Sequence, residues 1–148
     1  SNYGVHVVGT GFDKWGGVGC NLAVYPQPVD LSAYAGITFF AKRGAPNTPA
    51  LMVRVYNLRG MPEGCECDEI EGGGLPDCWD VHQSRVNLTD TWQRIDVLWT
   101  GLSQSGWGYQ FPFDPALTVG VRFFSVQGTP SLPVNFDFWI DDVALIST

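Results

Sequence analysis

Charge is scarce in this chain. Only 16% of its 148 residues are Asp, Glu, Lys or Arg, where soluble domains carry about a quarter. With 14% aromatic residues beside it, that scarcity excludes a disordered chain, which would be charge-rich and aromatic-poor. Basic residues are scarcest: eight Lys and Arg stand against fifteen Asp and Glu, for a net charge of −7 and a pI near 4.5. No basic run exceeds the pair Lys42-Arg43. Nucleic acid and anionic membrane both require a cationic face, so neither is expected as a partner. No apolar run is long enough to cross a bilayer, and no cleavable leader is readable. Helical periodicity is missing as well. There is no G-x-S-x-G elbow for a serine nucleophile and no EF-hand spacing for calcium. Histidine is limited to His6 and His82, which could act as acid–base groups near neutral pH or simply be satisfied surface side chains.

What the chain does have is alternation with a period of two. Apolar and polar residues alternate over 5–8, 20–25, 36–42, 50–58, 93–99, 118–126 and 134–144, and residues 79–88 lead into a further strand. Gly, Pro, Asn and Asp break these runs every ten to fifteen residues or so, a pattern that predicts an all-β sandwich or barrel. One helical turn is expected over 30–34. Two long loops remain, 60–79 and 101–115. The expectation is a single domain over 1–148. The chain opens abruptly, already strand-like by Val5, as a processed start or a fragment would.

Alternation splits each strand into two faces. Leu51, Val53 and Val55 share one face with each other, as do Ile95, Val97 and Trp99, and Val134, Phe136, Phe138 and Ile140. These sets predict a core between two antiparallel sheets. The opposite faces carry Arg54 and Tyr56 on one strand and Asp137 and Trp139 on another. Such a mixture of flat rings and fixed hydrogen-bonding groups suits a saccharide, whose C–H faces stack on rings and whose hydroxyls bond polar groups. The competing use of such rings is packing beneath a loop. Trp79 and His82 stand near this strand face. Trp107 and Tyr109 lie in a Gly-rich loop (SGWGYQF) that lets a ring stand out or lie flat.

Four cysteines, Cys20, Cys65, Cys67 and Cys78, do not match zinc spacings, and disulfides are expected. Proximity pairs Cys78 with Cys67 or Cys65. The remaining thiol then pairs with Cys20, or both stay free. The enclosed loop is acidic, with Glu63, Glu66, Asp68, Glu69, Glu71 and Asp77. Asn87-Leu88-Thr89 is a glycosylation sequon, meaningful in a eukaryotic secretory path. A glycosidase would need two paired carboxylates, and the sequence supplies acids without pairing them.

The runs Asp30-Leu31-Ser32-Ala33-Tyr34-Ala35-Gly36-Ile37-Thr38-Phe39-Phe40-Ala41-Lys42, Thr91-Trp92-Gln93-Arg94 and Phe138-Trp139-Ile140-Asp141-Asp142-Val143 resemble galactose-binding-like jelly-roll domains. The likeness is strongest to bacterial carbohydrate-binding modules of the family 11 type. That resemblance implies a jelly-roll β-sandwich that begins at the family's second strand and lacks the N-terminal one. It implies a secreted or cell-surface setting and non-catalytic binding of a polysaccharide or oligosaccharide, such as a β-glucan, on the concave sheet. The expected contacts are Arg54, Tyr56, Trp79, His82, Trp107, Tyr109, Asp137 and Trp139. It also implies structural calcium at Asp141 or Asp142, although the N-terminal segment that supplies the family's other ligands is missing. The alternative is a structural or adhesion domain whose exposed sheet edge recruits a partner protein's strand.

Overall fold

The period-two runs fold as strands throughout. The structure, a computed structural model, describes residues 4–44, 48–69 and 73–148. Its strands are β1 (Val5–Phe12), β2 (Gly17–Asn21), β3 (Tyr34–Arg43), β4 (Ala50–Asn57), β5 (His82–Asn87), β6 (Gln93–Leu98), β7 (Thr118–Ser125) and β8 (Val134–Ser147). They form two four-stranded antiparallel sheets, ordered β1-β8-β3-β6 and β2-β7-β4-β5, the two layers of a jelly-roll sandwich.

The core lies between the sheets and uses the residues that alternation assigned to it. Leu51, Val53 and Val55 of β4 are wholly buried. Phe39 of β3 and Phe138 of β8 meet them from the other layer, and Phe39 sets its edge on Phe123 of β7 at a 4.9 Å centroid distance. Each such side chain contributes roughly 1.5–3 kcal/mol by leaving water. Trp99 closes one end of the core, its indole N–H donating to the Tyr34 carbonyl at 2.7 Å.

Several boundaries differ from expectation: β1 and β8 run on to Phe12 and Ser147, past the ends expected at 8 and 144. The strand expected over 20–25 is β2, shifted to Gly17–Asn21. Alternation gives glycine no weight, yet these glycines allow the strand to seat. A Cβ on Gly17 would lie 2.0 Å from the Phe123 carbonyl oxygen, and one on Gly19 would lie 2.1 Å from the Arg122 side chain. The helical turn expected over 30–34 is an open turn: Asp30 accepts from the Ser32 amide at 2.9 Å, and the Tyr34 amide donates to Leu31 at 3.0 Å.

The loop after β4 begins with two 3-10 turns, Leu58–Gly60 and Pro62–Gly64, and is closed by a Cys67–Cys78 disulfide. Cys20 and Cys65 are free and exposed, so of the pairings the sequence left open the single bridge is the one formed. Glu71 of the acidic loop lies outside the described residues.

Phe138→Ala is expected to cost about 3–5 kcal/mol, because the ring is fully buried and its neighbours are held by both sheets. Urea unfolding followed by tryptophan fluorescence measures this.

Candidate functional site

A cleft of about 790 Å³ lies on the outer face of the β2-β7-β4-β5 sheet. Register builds its floor. With Val53 and Val55 turned to the core, Met52, Arg54 and Tyr56 must face outward. Arg54 stands opposite Arg122 on β7 and Gln83 on β5. Met52 stands opposite Phe124 and Arg85. The Arg54 guanidinium lies 4.5 Å from the Trp15 ring centre and 5.4 Å from that of Phe124, while its Nε donates to Gln83 at 3.1 Å. Arg122 covers Tyr56 at 5.1 Å. Both guanidiniums therefore rest on rings, a geometry that holds the planes still.

Loops build the walls. One wall is Trp79, which follows the disulfide directly. Its amide donates to the Gly60 carbonyl at 3.0 Å, and its indole N–H to Glu69 at 2.5 Å. The ring leans toward Tyr56 at 6.2 Å. Its backbone is left-handed, with φ of 72°, a conformation that costs a non-glycine residue on the order of 1–3 kcal/mol.

The other wall is Trp107, 58% exposed and carried on a loop that a single carboxylate organises. Asp80 is buried at 3% exposure. One of its oxygens accepts from the Ser105 amide at 2.8 Å. The other accepts from the amides of Gly106, Trp107 and Gly108 at 2.7, 2.9 and 3.2 Å, and from the Gln110 side chain at 2.7 Å. Burial pushes this carboxyl's pKa up, but the amides and Gln110 outweigh it and the net shift is downward. Gly106 supplies the required left-handed residue at φ 95°. Gln104 braces the same loop by donating to the carbonyls of Asp80 and Tyr109 at 2.5 and 2.7 Å.

Of the residues singled out in the sequence, Arg54, Tyr56, Trp79 and Trp107 meet in this cleft. The others do not. Asp137 and Trp139 are on β8, which belongs to the opposite sheet. There the Trp139 ring stacks on His6 at 3.9 Å, and Asp137 accepts from or pairs with His6 at 2.8 Å. Alternation separates inside from outside but does not say which sheet a strand joins. His82 stands opposite Val55, so its side chain turns inward between Phe111 and Phe113, 5% exposed. Desolvation lowers its pKa, against a raising hydrogen bond to the Phe111 backbone and the Asp80 charge.

Tyr109 also turns away from the cleft. Its hydroxyl donates to Glu66 at 2.5 Å and accepts from Arg59 at 3.1 Å. Arg59 and Tyr109 together hold the Glu66 carboxyl down at about 2, which makes this cluster a brace for the loop. Asp141 accepts from the Asp142 amide at 2.8 Å, and Asp142 is left-handed at φ 48°. Calcium takes six to eight oxygen ligands. Among the described residues no three His, Cys, Asp or Glu side chains gather around one point, so the structure adds no donor set to the calcium expectation. Sequence reasoning missed Trp15, Asp80, Gln83, Arg85 and Phe124 in the cleft lining. Trp15 carried a usable signal, since it is followed by two glycines, much as Trp107 lies between two.

This two-sheet jelly roll is the fold of several solved carbohydrate-binding modules. Particular members share it over nearly the whole chain. The family 11 module of the cellulosomal cellulase Lic26A-Cel5E of Clostridium thermocellum superposes with a TM-score of 0.63 at 18% identity, covering 98% of this chain and 75% of that one. A family 11 module from the same organism, in complex with a β-1,3-1,4-mixed-linked tetrasaccharide, gives 0.63 at 17% identity, with 98% and 76% covered. The family 30 module of the cellulosomal cellulase Cel9D-Cel44B of C. thermocellum gives 0.64 at 15% identity, with 97% and 74% covered. At these identities the likeness concerns the fold. No family model matches the sequence. Endoglucanase 3 of Fibrobacter succinogenes is 31% identical over 67 residues, 45% of this chain, and the match spans a tenth of that protein's length.

Asp80→Asn is expected to free the Trp107 loop, because an amide accepts through one oxygen where the carboxylate accepts through two. The spectrum attributable to Trp107, obtained by subtracting a Trp107→Phe background, should shift to the red and quench more readily with acrylamide. In the unmutated chain the same change should appear only in acid. A carboxyl whose folded pKa is depressed stabilises the fold above its ordinary value and loses that contribution as pH falls through the depressed one. Asn at 80 should abolish this acid transition.

Proposed function

We propose that the chain is a non-catalytic module that binds a polysaccharide or oligosaccharide in the cleft on the β2-β7-β4-β5 sheet. The observation that carries this reading is the convergence of Trp15, Tyr56, Trp79 and Trp107 around Arg54 and Gln83 in one open cleft. Rings offer stacking surfaces for sugar C–H faces, and the planar polar groups between them offer hydrogen bonds at fixed orientation. The rings come from the sheet and from three separate loops, so the cleft is preorganised on a rigid floor. The fold of the cellulase-borne modules supports the reading. The bound mixed-linkage tetrasaccharide of one of them, with the endoglucanase match, puts β-glucans first among ligands to try. The Cys67–Cys78 disulfide supports a secreted or cell-surface setting, where such bonds persist.

Affinity electrophoresis in gels holding mixed-linkage β-glucan, xylan, mannan or pectic polymers tests the proposal. Retardation by at least one polymer is expected, with no release of reducing ends on prolonged incubation. Migration unchanged in every gel would sink it. Tyr56→Ala and Trp107→Ala should each weaken retention by about 1–3 kcal/mol, the scale measured when a ring stacked on a planar ligand is removed. Trp139→Ala, on the opposite sheet, should leave retention unchanged.

A further inference from the structure

The charge on the cleft floor narrows the ligand class. The chain has net charge −7 and eight Lys and Arg residues. Three arginines are matched by carboxylates: Arg43 with Asp90 at 2.6 Å, Arg59 with Glu66 at 2.7 Å, and Arg94 with Asp96 at 3.1 Å. Arg54, Arg85 and Arg122 form no ion pair among the described residues, and all three lie on the outer face of the cleft sheet. Arg54 and Arg122 are direct cross-strand partners on β4 and β7, and Arg85 on β5 stands in the adjoining row opposite Met52.

Like charges placed directly opposite in a sheet repel, and in a chain this rich in acid a compensating carboxylate would be easy to supply. The neighbours supplied are rings and neutral oxygens instead. Arg54 rests on Trp15 and Phe124 and donates to Gln83. Arg122 rests on Tyr56 beside the cleft lining and donates to the carbonyls of Cys20 and Val121 and to the Asn21 side chain at 2.6, 3.1 and 2.5 Å. The contacts of Arg54 fix its guanidinium in the cleft without neutralising it. Asp80, the one carboxylate among the described residues of the cleft lining, has both oxygens taken by the Trp107 loop.

We propose that the cleft takes an acidic polysaccharide, one bearing uronate units, with a sugar carboxylate seated over Arg54 and Arg85, the two arginines of the cleft lining. The proposal rests on the saccharide reading above and names its ligand class. A guanidinium matches a carboxylate with two parallel hydrogen bonds, which a neutral hydroxyl cannot reproduce. The acids Asp68, Glu69 and Asp77 surround an adjoining hollow of about 350 Å³ beyond Trp79 and Trp107. They repel a carboxylate from that end, so the uncharged face of the sugar chain lies against Trp79 and Trp107 and the charged unit over the arginines.

The test runs the full chain through gels holding polymers matched in backbone but not in charge. The pairs are de-esterified against fully methyl-esterified homogalacturonan, and glucuronoxylan against unsubstituted xylan, with mixed-linkage β-glucan as a neutral reference. Tighter retention by the acidic member of a pair is expected, by about tenfold or more, and the difference should fade as salt screens it between about 0.05 and 0.5 M. Arg54→Gln should remove the difference. Arg85→Gln, at an exposed position on the outer face of β5, should reduce it without changing the melting temperature, which separates a charge effect from misfolding. Equal or stronger retention by neutral polymers, insensitive to salt, overturns this proposal and leaves the saccharide reading standing. No retention in any gel overturns both.

Discussion

Everything at the cleft depends on which way the side chains of β4 point. Leu51, Val53 and Val55 are wholly excluded from water, and a strand has only two faces. Slipping β4 by one residue would expose these three and bury Met52, Arg54 and Tyr56. Burying an uncompensated guanidinium costs several kcal/mol on top of the lost apolar burial. The core therefore dictates the register, and the register dictates that Arg54, Gln83 and Arg122 form one row across three strands. The same interactions that stabilise the fold place the polar groups of the floor.

The walls obey a different logic. Trp79 and Trp107 sit on loops, where alternation has no force, and each needs a local device. For Trp79 it is the disulfide together with the amide bond to Gly60; for Trp107 it is the buried carboxylate of Asp80, which gathers four consecutive amides. A carboxylate with that many donors is better satisfied than it would be in water only because the loop is already folded around it. Floor and walls thus draw on separate sources of order. The floor shares the stability of the whole sandwich, while the walls can open locally.

How far the sequence could be read follows from the same division. Strand positions and the buried faces of β4, β6 and β8 were legible, because a period of two leaves a direct trace in residue order. The grouping of Asp137 and Trp139 with Arg54 was not, since β4 and β8 alternate alike and nothing in either says that they belong to different sheets. His82 misled for a related reason: its direction is set by its partner Val55, thirty or so residues away along the chain. Tyr109 and Trp107 are two residues apart in one loop yet point into different environments, a distinction made by Glu66 and Arg59 and not by spacing. Asp80 left no local trace, because the amides that it holds belong to residues 105–108.

The backbone of Trp79 carries one more consequence. A large aromatic residue in the left-handed region is a poor choice for the backbone; glycine or asparagine would fit there with less strain. On the saccharide reading proposed above, stability and recognition make opposite demands on this single position. A lineage that ceased to need the cleft would have an easy route to a sturdier domain through position 79, whereas Val53 or Phe138 offers no such exchange. On that same reading, the identity of residue 79 is a marker, within one chain, of whether the cleft is in use.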